Sequence, residues 1–140
     1  MSAATLAKAQ SLGNAENIAA ALGRVLISTI FILSGISKLA APAATIGYIE
    51  SAGLPIAPLA FAIAVVIEVA GGIALIAGFR TRWIAAALAV FAVATGLSFH
   101  FNLGDQNQFI HFFKNIAMAG GLLQIVAFGG GALSLDAKRG

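Results

Sequence analysis

Apolar positions dominate this chain in four long runs, separated by short clusters of polar and turn-forming residues. The runs are Ile18 to Leu39, Pro58 to Phe79, Trp83 to Phe101 and His111 to Phe128, the last being the most polar at its start. Each approaches the ~20 residues that a helix needs to cross a ~30 Å hydrocarbon core. The pattern predicts an all-α integral membrane four-helix bundle with up-down-up-down connectivity.

The connections support this reading. Ala40 to Ala57 holds Pro42, Gly53 and Pro55. Pro42 ends the first helix. Ile46, Tyr48 and Ile49 then suit a short interfacial helix between helices one and two, with Gly53 as its stop. Arg80-Thr81-Arg82 is too short for anything but a tight helical hairpin. Asn102 to Gln108 is polar, and Gly129 to Gly131 ends the fourth helix. Upstream, residues 1–17 form an N-terminal surface segment without the apolar stretch of a secretory signal. Leu6, Ala9 and Leu12 fit either a short amphipathic helix or a frayed end. Residues 18–136 make up the transmembrane domain and 137–140 a basic tail.

Composition changes the picture in one direction. Of the 140 residues, 60% are hydrophobic and 9% charged, and the mean hydropathy is +0.98. A soluble domain carries about 25% charged residues. So few charges cannot clothe a water-exposed surface, and the lipid bilayer must be much of the solvent. Cysteine is absent, which excludes a disulfide scaffold and a thiolate metal site. The net charge of +3 does not indicate nucleic acid, because the basic residues lie at segment ends rather than in a cluster. They read instead as topology. Lys8, Arg24, Arg80, Arg82, Lys138 and Arg139 share one side and Lys38 and Lys114 the other. The positive-inside rule then places both termini in the cytoplasm, N-in and C-in.

The polar residues inside the spans are the candidate chemistry. Glu68 lies roughly 15 Å beyond Pro58 at ~1.5 Å rise per residue, near the midplane. A charge there costs about 2.5–3.5 kcal/mol and normally faces a partner inside the bundle. Arg24, Ser28, Phe31, Gly35 and Lys38 follow steps of four and three, and so share one face of the first helix. If Lys38 marks the outer boundary, Arg24 is about 21 Å below it and about 6 Å from the level of Glu68. An Arg24–Glu68 intramembrane ion pair is the expectation. It serves either helix register or function.

A second cluster gathers at the other end. His100, His111, Lys114 and Asn115 come from helices three and four, with Met118 continuing the fourth helix's face. Lys38 lies at the same level on helix one. These residues are the expected ligand-binding set, around a cavity floored by Glu68, with Phe31, Phe99, Phe109, Phe112 and Phe113 as apolar walls. No spacing for a catalytic zinc, a serine hydrolase or a phosphate loop is present, and no metal site is expected. A haem held by His100 and His111 is disfavoured, since one such pair is weak support. What remains is an apolar slot with hydrogen-bond donors that can move protons. It would suit a quinone headgroup or another small lipophilic ligand, bound without a covalent cofactor.

The same residues carry a family resemblance. The stretches "GRVLISTIFILSGISKL", "YIESAGLP", "VIEVAGGIALIAGFRTRWIA" and "FFKNIAMAGGLL", together with His100, resemble the DoxX family of small four-helix bacterial and archaeal membrane proteins. The end "GGGALSLD" resembles members known only as inner-membrane proteins. The resemblance implies a multi-pass protein of the bacterial plasma membrane. Relatives are subunits of a terminal quinol oxidase and of thiosulfate:quinone oxidoreductase, or act in quinone and thiol-stress responses. It carries over no catalytic residue set. The leading expectation is therefore a quinone-binding accessory that needs an oxidoreductase partner or the ligand itself for any net electron transfer. A small-solute carrier using the same polar track, and a structural module recruiting partner proteins, are the alternatives. A homo-oligomer is compatible with the pattern.

Overall fold

The computed structural model describes residues 1–139. Seven α-helical segments run in order: α1 (Ala3–Ala40), α2 (Pro42–Ser51), α3 (Ala57–Val65), α4 (Gly71–Ala77), α5 (Thr81–Phe99), α6 (Gln106–Phe128) and α7 (Leu135–Lys138). A π-helical turn, Val66–Ala70, joins α3 to α4 without a break in direction. Ala3–Ala40, Ala57–Ala77, Thr81–Phe99 and Gln106–Phe128 are each long and apolar enough to span a membrane. The four runs in the sequence thus become four antiparallel helices, and α2 is the short helix between the first two.

The first helix departs from expectation. It begins at Ala3, capped by Ser2 accepting from the Thr5 amide, and runs for 38 residues. Residues 3–17 are therefore the leading turns of one helix continuous with the first apolar run. Ala, Leu, Lys, Glu and Gln dominate them, and these residues lose little side-chain freedom in a helix.

The core is thin and made of small residues. Leu75, Ala85, Leu88, Ala92 and Leu122 are almost wholly enclosed, while large aliphatic side chains cover the outside, as lipid contact requires. Two glycines bring the backbones together. A Cβ on Gly72 would lie 2.6 Å from Ile32 of α1, and one on Gly71 3.3 Å from Leu88 of α5. α1, the π turn, α4 and α5 can approach closely only because these positions carry no side chain.

Candidate functional site

The site is built where α1 meets the π turn. Gly35 faces it so tightly that a Cβ would come within 2.5 Å of Val69 Cγ2 and 3.2 Å of Glu68 Cβ. Glu68 occupies the turn itself and is 4% exposed. A π turn widens the helix by one residue and occurs often at functional sites. Nothing in the pattern of apolar residues announced it.

The partner of Glu68 is Lys38, not Arg24. Lys38 Nζ lies 2.9 Å from Oε2 and donates to Oε1 at 3.1 Å. Ser34 Oγ donates to the same Oε1 at 2.9 Å and accepts from Lys38 Nζ at 2.8 Å. This is the only side-chain ion pair among the described residues. The expected Arg24–Glu68 pair fails because of axial register. Glu68 lies level with Gly35, whose Cβ would stand 3.2 Å from Glu68 Cβ. Lys38 is three residues from that level, about 4.5 Å along α1, and Arg24 is eleven, about 16 Å. The tilt of Cα–Cβ bonds toward each helix's N-terminus adds to this, because on antiparallel helices Lys38 and Glu68 lean toward each other and Arg24 leans away. Ser34 lies one residue before that level and was missed with it.

Above the pair lies a cavity of about 660 Å³, lined by Lys38, Glu68, His100, His111, Lys114 and Asn115 among others. All five residues of the expected ligand set thus border one space, and Arg24 does not. Its volume falls within the ~300–1,000 Å³ of small-molecule pockets. The rest of its wall is largely apolar: Phe31, Phe91, Phe99, Ala64 and Met118, with Ala44, Thr45 and Tyr48 contributed by α2. Phe109, Phe112 and Phe113, expected as walls, instead pack on one another. The role of α2 as a side of the cavity was not foreseen. It is fixed partly by Tyr48 stacking on Phe99 at 5.3 Å.

The polar rim is ordered by local bonds. His100 Nδ1 lies 2.8 Å from Gln108 Oε1, and its ring stacks on His111 with centroids 5.0 Å apart. Asn115 donates to the His111 carbonyl at 2.9 Å and accepts from Thr95 Oγ1 at 3.3 Å. Lys114 makes no ion pair among the described residues. Glu68 Oε2, although buried, receives no well-directed hydrogen bond despite the nearby ammonium. Gln108 and Thr95 are further polar residues that sequence reasoning missed.

Arg24 serves the opposite end. It is 1% exposed and donates to the carbonyls of Leu75 (3.0 Å) and Ile76 (2.7 Å) at the end of α4, and to that of Leu133. Terminal helix carbonyls lack intrahelical partners, and a cation there also meets the negative end of the helix dipole. The α4–α5 hairpin turns at Gly78, whose φ of +71° suits glycine alone. A Cβ there would also strike Ser134 at 2.3 Å. Asp136 closes the assembly. Its carboxylate accepts from the Arg80 and Thr81 amides, both at 2.7 Å, and from Thr81 Oγ1 at 2.6 Å. Its own amide donates to the Gly78 carbonyl at 2.9 Å. These bonds, the Thr81 hydroxyl foremost, hold the Asp136 carboxyl below the usual carboxylate range. The "GGGALSLD" segment is thus a latch that caps both sides of the hairpin.

Four spanning helices around a mostly apolar cavity with a polar rim define a small membrane protein with a candidate ligand site. The comparisons give its family. The DoxX family profile matches residues 19–101, and the chain belongs to that family. It is similar to two proteins of Escherichia coli strain K12. With inner membrane protein YqjF it shares 32% identity over 121 residues, 86% of this chain and 92% of the relative. With inner membrane protein YphA it shares 34% over 131 residues, 90% of this chain and 94% of the relative. No solved structure matches.

Proposed function

We propose that the cavity binds the headgroup of a quinone or a closely similar redox lipid, and that the protein serves a quinone-linked oxidoreductase or stress system as an accessory. The observation that carries this reading is the convergence of Lys38, His100, His111, Lys114 and Asn115 on one mostly apolar space above Glu68. Lys114 and the imidazoles supply donors for carbonyl oxygens. The phenylalanines supply flat walls. At the floor, Ser34, Lys38 and Glu68 form a connected set that can accept or return a proton as a quinol is oxidised or a quinone reduced. The electrons come from the ligand and a partner. The protein sits in the bacterial inner membrane with both termini cytoplasmic.

The carrier reading has less support. Beneath Glu68 the interior is closed by Leu75, Leu88 and Leu122, all fully buried, and Arg24 is engaged elsewhere. A polar track across the whole membrane would need to pass these residues.

The test is direct titration of the detergent-purified protein with a short-chain ubiquinone and a short-chain menaquinone, beside lipid extraction of the purified material. Saturable binding that weakens about tenfold in His111→Ala and in Lys114→Ala is expected, since a hydrogen bond to a charged group is worth about 1.5–3 kcal/mol. Absence of quinone from the extract together with no saturable binding would overturn the reading. A topology reporter at each terminus checks the orientation.

A further inference from the structure

A second concavity, of about 500 Å³, lies at the hairpin end of the bundle, remote from the cavity above Glu68. Arg80, Arg82, Trp83 and Arg139 border it, with Gly129 and Asp136. Its one carboxylate feels the Arg139 charge but offsets at most one of the three guanidinium charges. Asp136 spends both oxygens on the amides of Arg80 and Thr81 and on the Thr81 hydroxyl. No guanidinium of the three pairs with an acid among the described residues. Two of them converge on a single ring: Arg80 Cζ lies 5.9 Å and Arg139 Cζ 5.2 Å from the centroid of Phe79. The backbone also holds Arg80 in an uncommon state, with φ of +44° in the left-handed region. Such conformations persist where the surroundings over-determine them and cluster at ligand clamps. Gly129 leaves room for Arg82, because a Cβ there would lie 3.2 Å from its Nε.

From this arrangement we infer that the cleft at the α4–α5 hairpin binds the phosphodiester headgroup of an anionic membrane phospholipid. Three guanidinium groups against one carboxylate leave a net positive charge in a concave site, which calls for an anion, and planar guanidinium forks match phosphate oxygens. The position selects a lipid as its source. Trp83, 77% exposed, stands one residue beyond Arg82 at the start of a spanning helix. Tryptophan there sits at the headgroup level, and basic pockets at the ends of spanning helices take anionic headgroups.

The experiment is native mass spectrometry of the full chain, supported by titration in nanodiscs of phosphatidylcholine with or without cardiolipin or phosphatidylglycerol. The wild type should retain anionic lipid in preference to phosphatidylcholine. Each of R80Q, R82Q and R139Q should weaken retention about fivefold, and the triple variant about a hundredfold. Lys8→Gln and Lys138→Gln, which remove charge at the same end but outside the cleft, should leave it unchanged. Equal losses in these controls would mean diffuse surface charge and overturn the site. Inorganic phosphate binding as tightly as the lipid would assign the cleft to a soluble anion and overturn the lipid. Should the triple variant fail to insert, R82Q and Arg82→Lys decide. Arg82→Lys keeps the charge without the fork, and unchanged lipid retention in R82Q would overturn the proposal.

Discussion

The two ends of this bundle each hold a cation from α1, Arg24 enclosed and Lys38 partly exposed, and they use it in opposite ways. At the latch end Arg24 is enclosed and its fork is spent on backbone carbonyls of α4 and the C-terminal segment. Glycine turns and an aspartate from far along the chain close the remaining gaps. At the cavity end Lys38 is paired with Glu68 beside open space, and the surrounding imidazoles and Lys114 keep free polar atoms. Arg24 spends both terminal nitrogens of its guanidinium on the protein itself, with only its Nε and the nearby Ser28 Oγ unpartnered. The groups around Lys38 keep polar atoms facing a cavity. A buried charge in a membrane span is thus a functional sign only where its partners leave hydrogen-bonding capacity unspent.

The largest expected effect breaks the latch end. Arg24→Leu removes three hydrogen bonds to buried carbonyls and should cost at least about 3 kcal/mol, read as a lower melting temperature in detergent. Quinone affinity of the folded fraction should remain. Next, Lys38→Met leaves Glu68 as an unpaired buried carboxylate and should cost about 2–3 kcal/mol. Adding Glu68→Gln should restore most of that loss, because the double variant buries no charge. Failure of the restoration would mean that Lys38 and Glu68 are not energetically coupled.

Asp136→Asn should cost about 1 kcal/mol, the usual worth of a helix N-cap. It should also change the acid limb of stability. A carboxyl whose native pKa is depressed stabilises the fold at every pH above its unfolded value of about 4. That contribution fades as pH falls through the native value. Protection of the Arg80 and Thr81 amides against exchange should therefore fall below about pH 4 in the wild type, and be low at all pH values in Asp136→Asn. The smallest stability effect belongs to Lys114→Ala, within about 0.5 kcal/mol, although ligand affinity should drop. Substantial unfolding by that variant would make Lys114 structural and erase the contrast between the ends.

Much of the fold was legible because lipid imposes long apolar runs, and prolines and glycines punctuate them. The buried face of α1, Arg24-Ser28-Phe31-Gly35, was readable from its spacing alone. The gathering of His100, His111, Lys114, Asn115 and Lys38 was readable too, because short connections force neighbouring ends to the same level. Four features were not. The choice of Lys38 over Arg24 depends on the axial register of α1 against the π turn, fixed by the close approach of Gly35 to Glu68 rather than by any local pattern. The π turn depends on packing against Gly35, a contact between distant residues. The capping of α5 by Asp136 spans 55 residues and leaves no local trace. The continuity of α1 back to Ala3 was hidden by polarity, since mixed helix formers resemble a surface segment.

That continuity has a mechanical side. α1 runs unbroken from Ala3 to Ala40, about 57 Å at ~1.5 Å per residue, so it overreaches a ~30 Å hydrocarbon core by several turns. A stiff rod pinned near Lys38 amplifies rotation. A lean of about 5° there would sweep Ala3 through roughly 5 Å. A spin label on the leading turns would therefore act as a pointer, reporting on the protruding arm what happens beside Glu68.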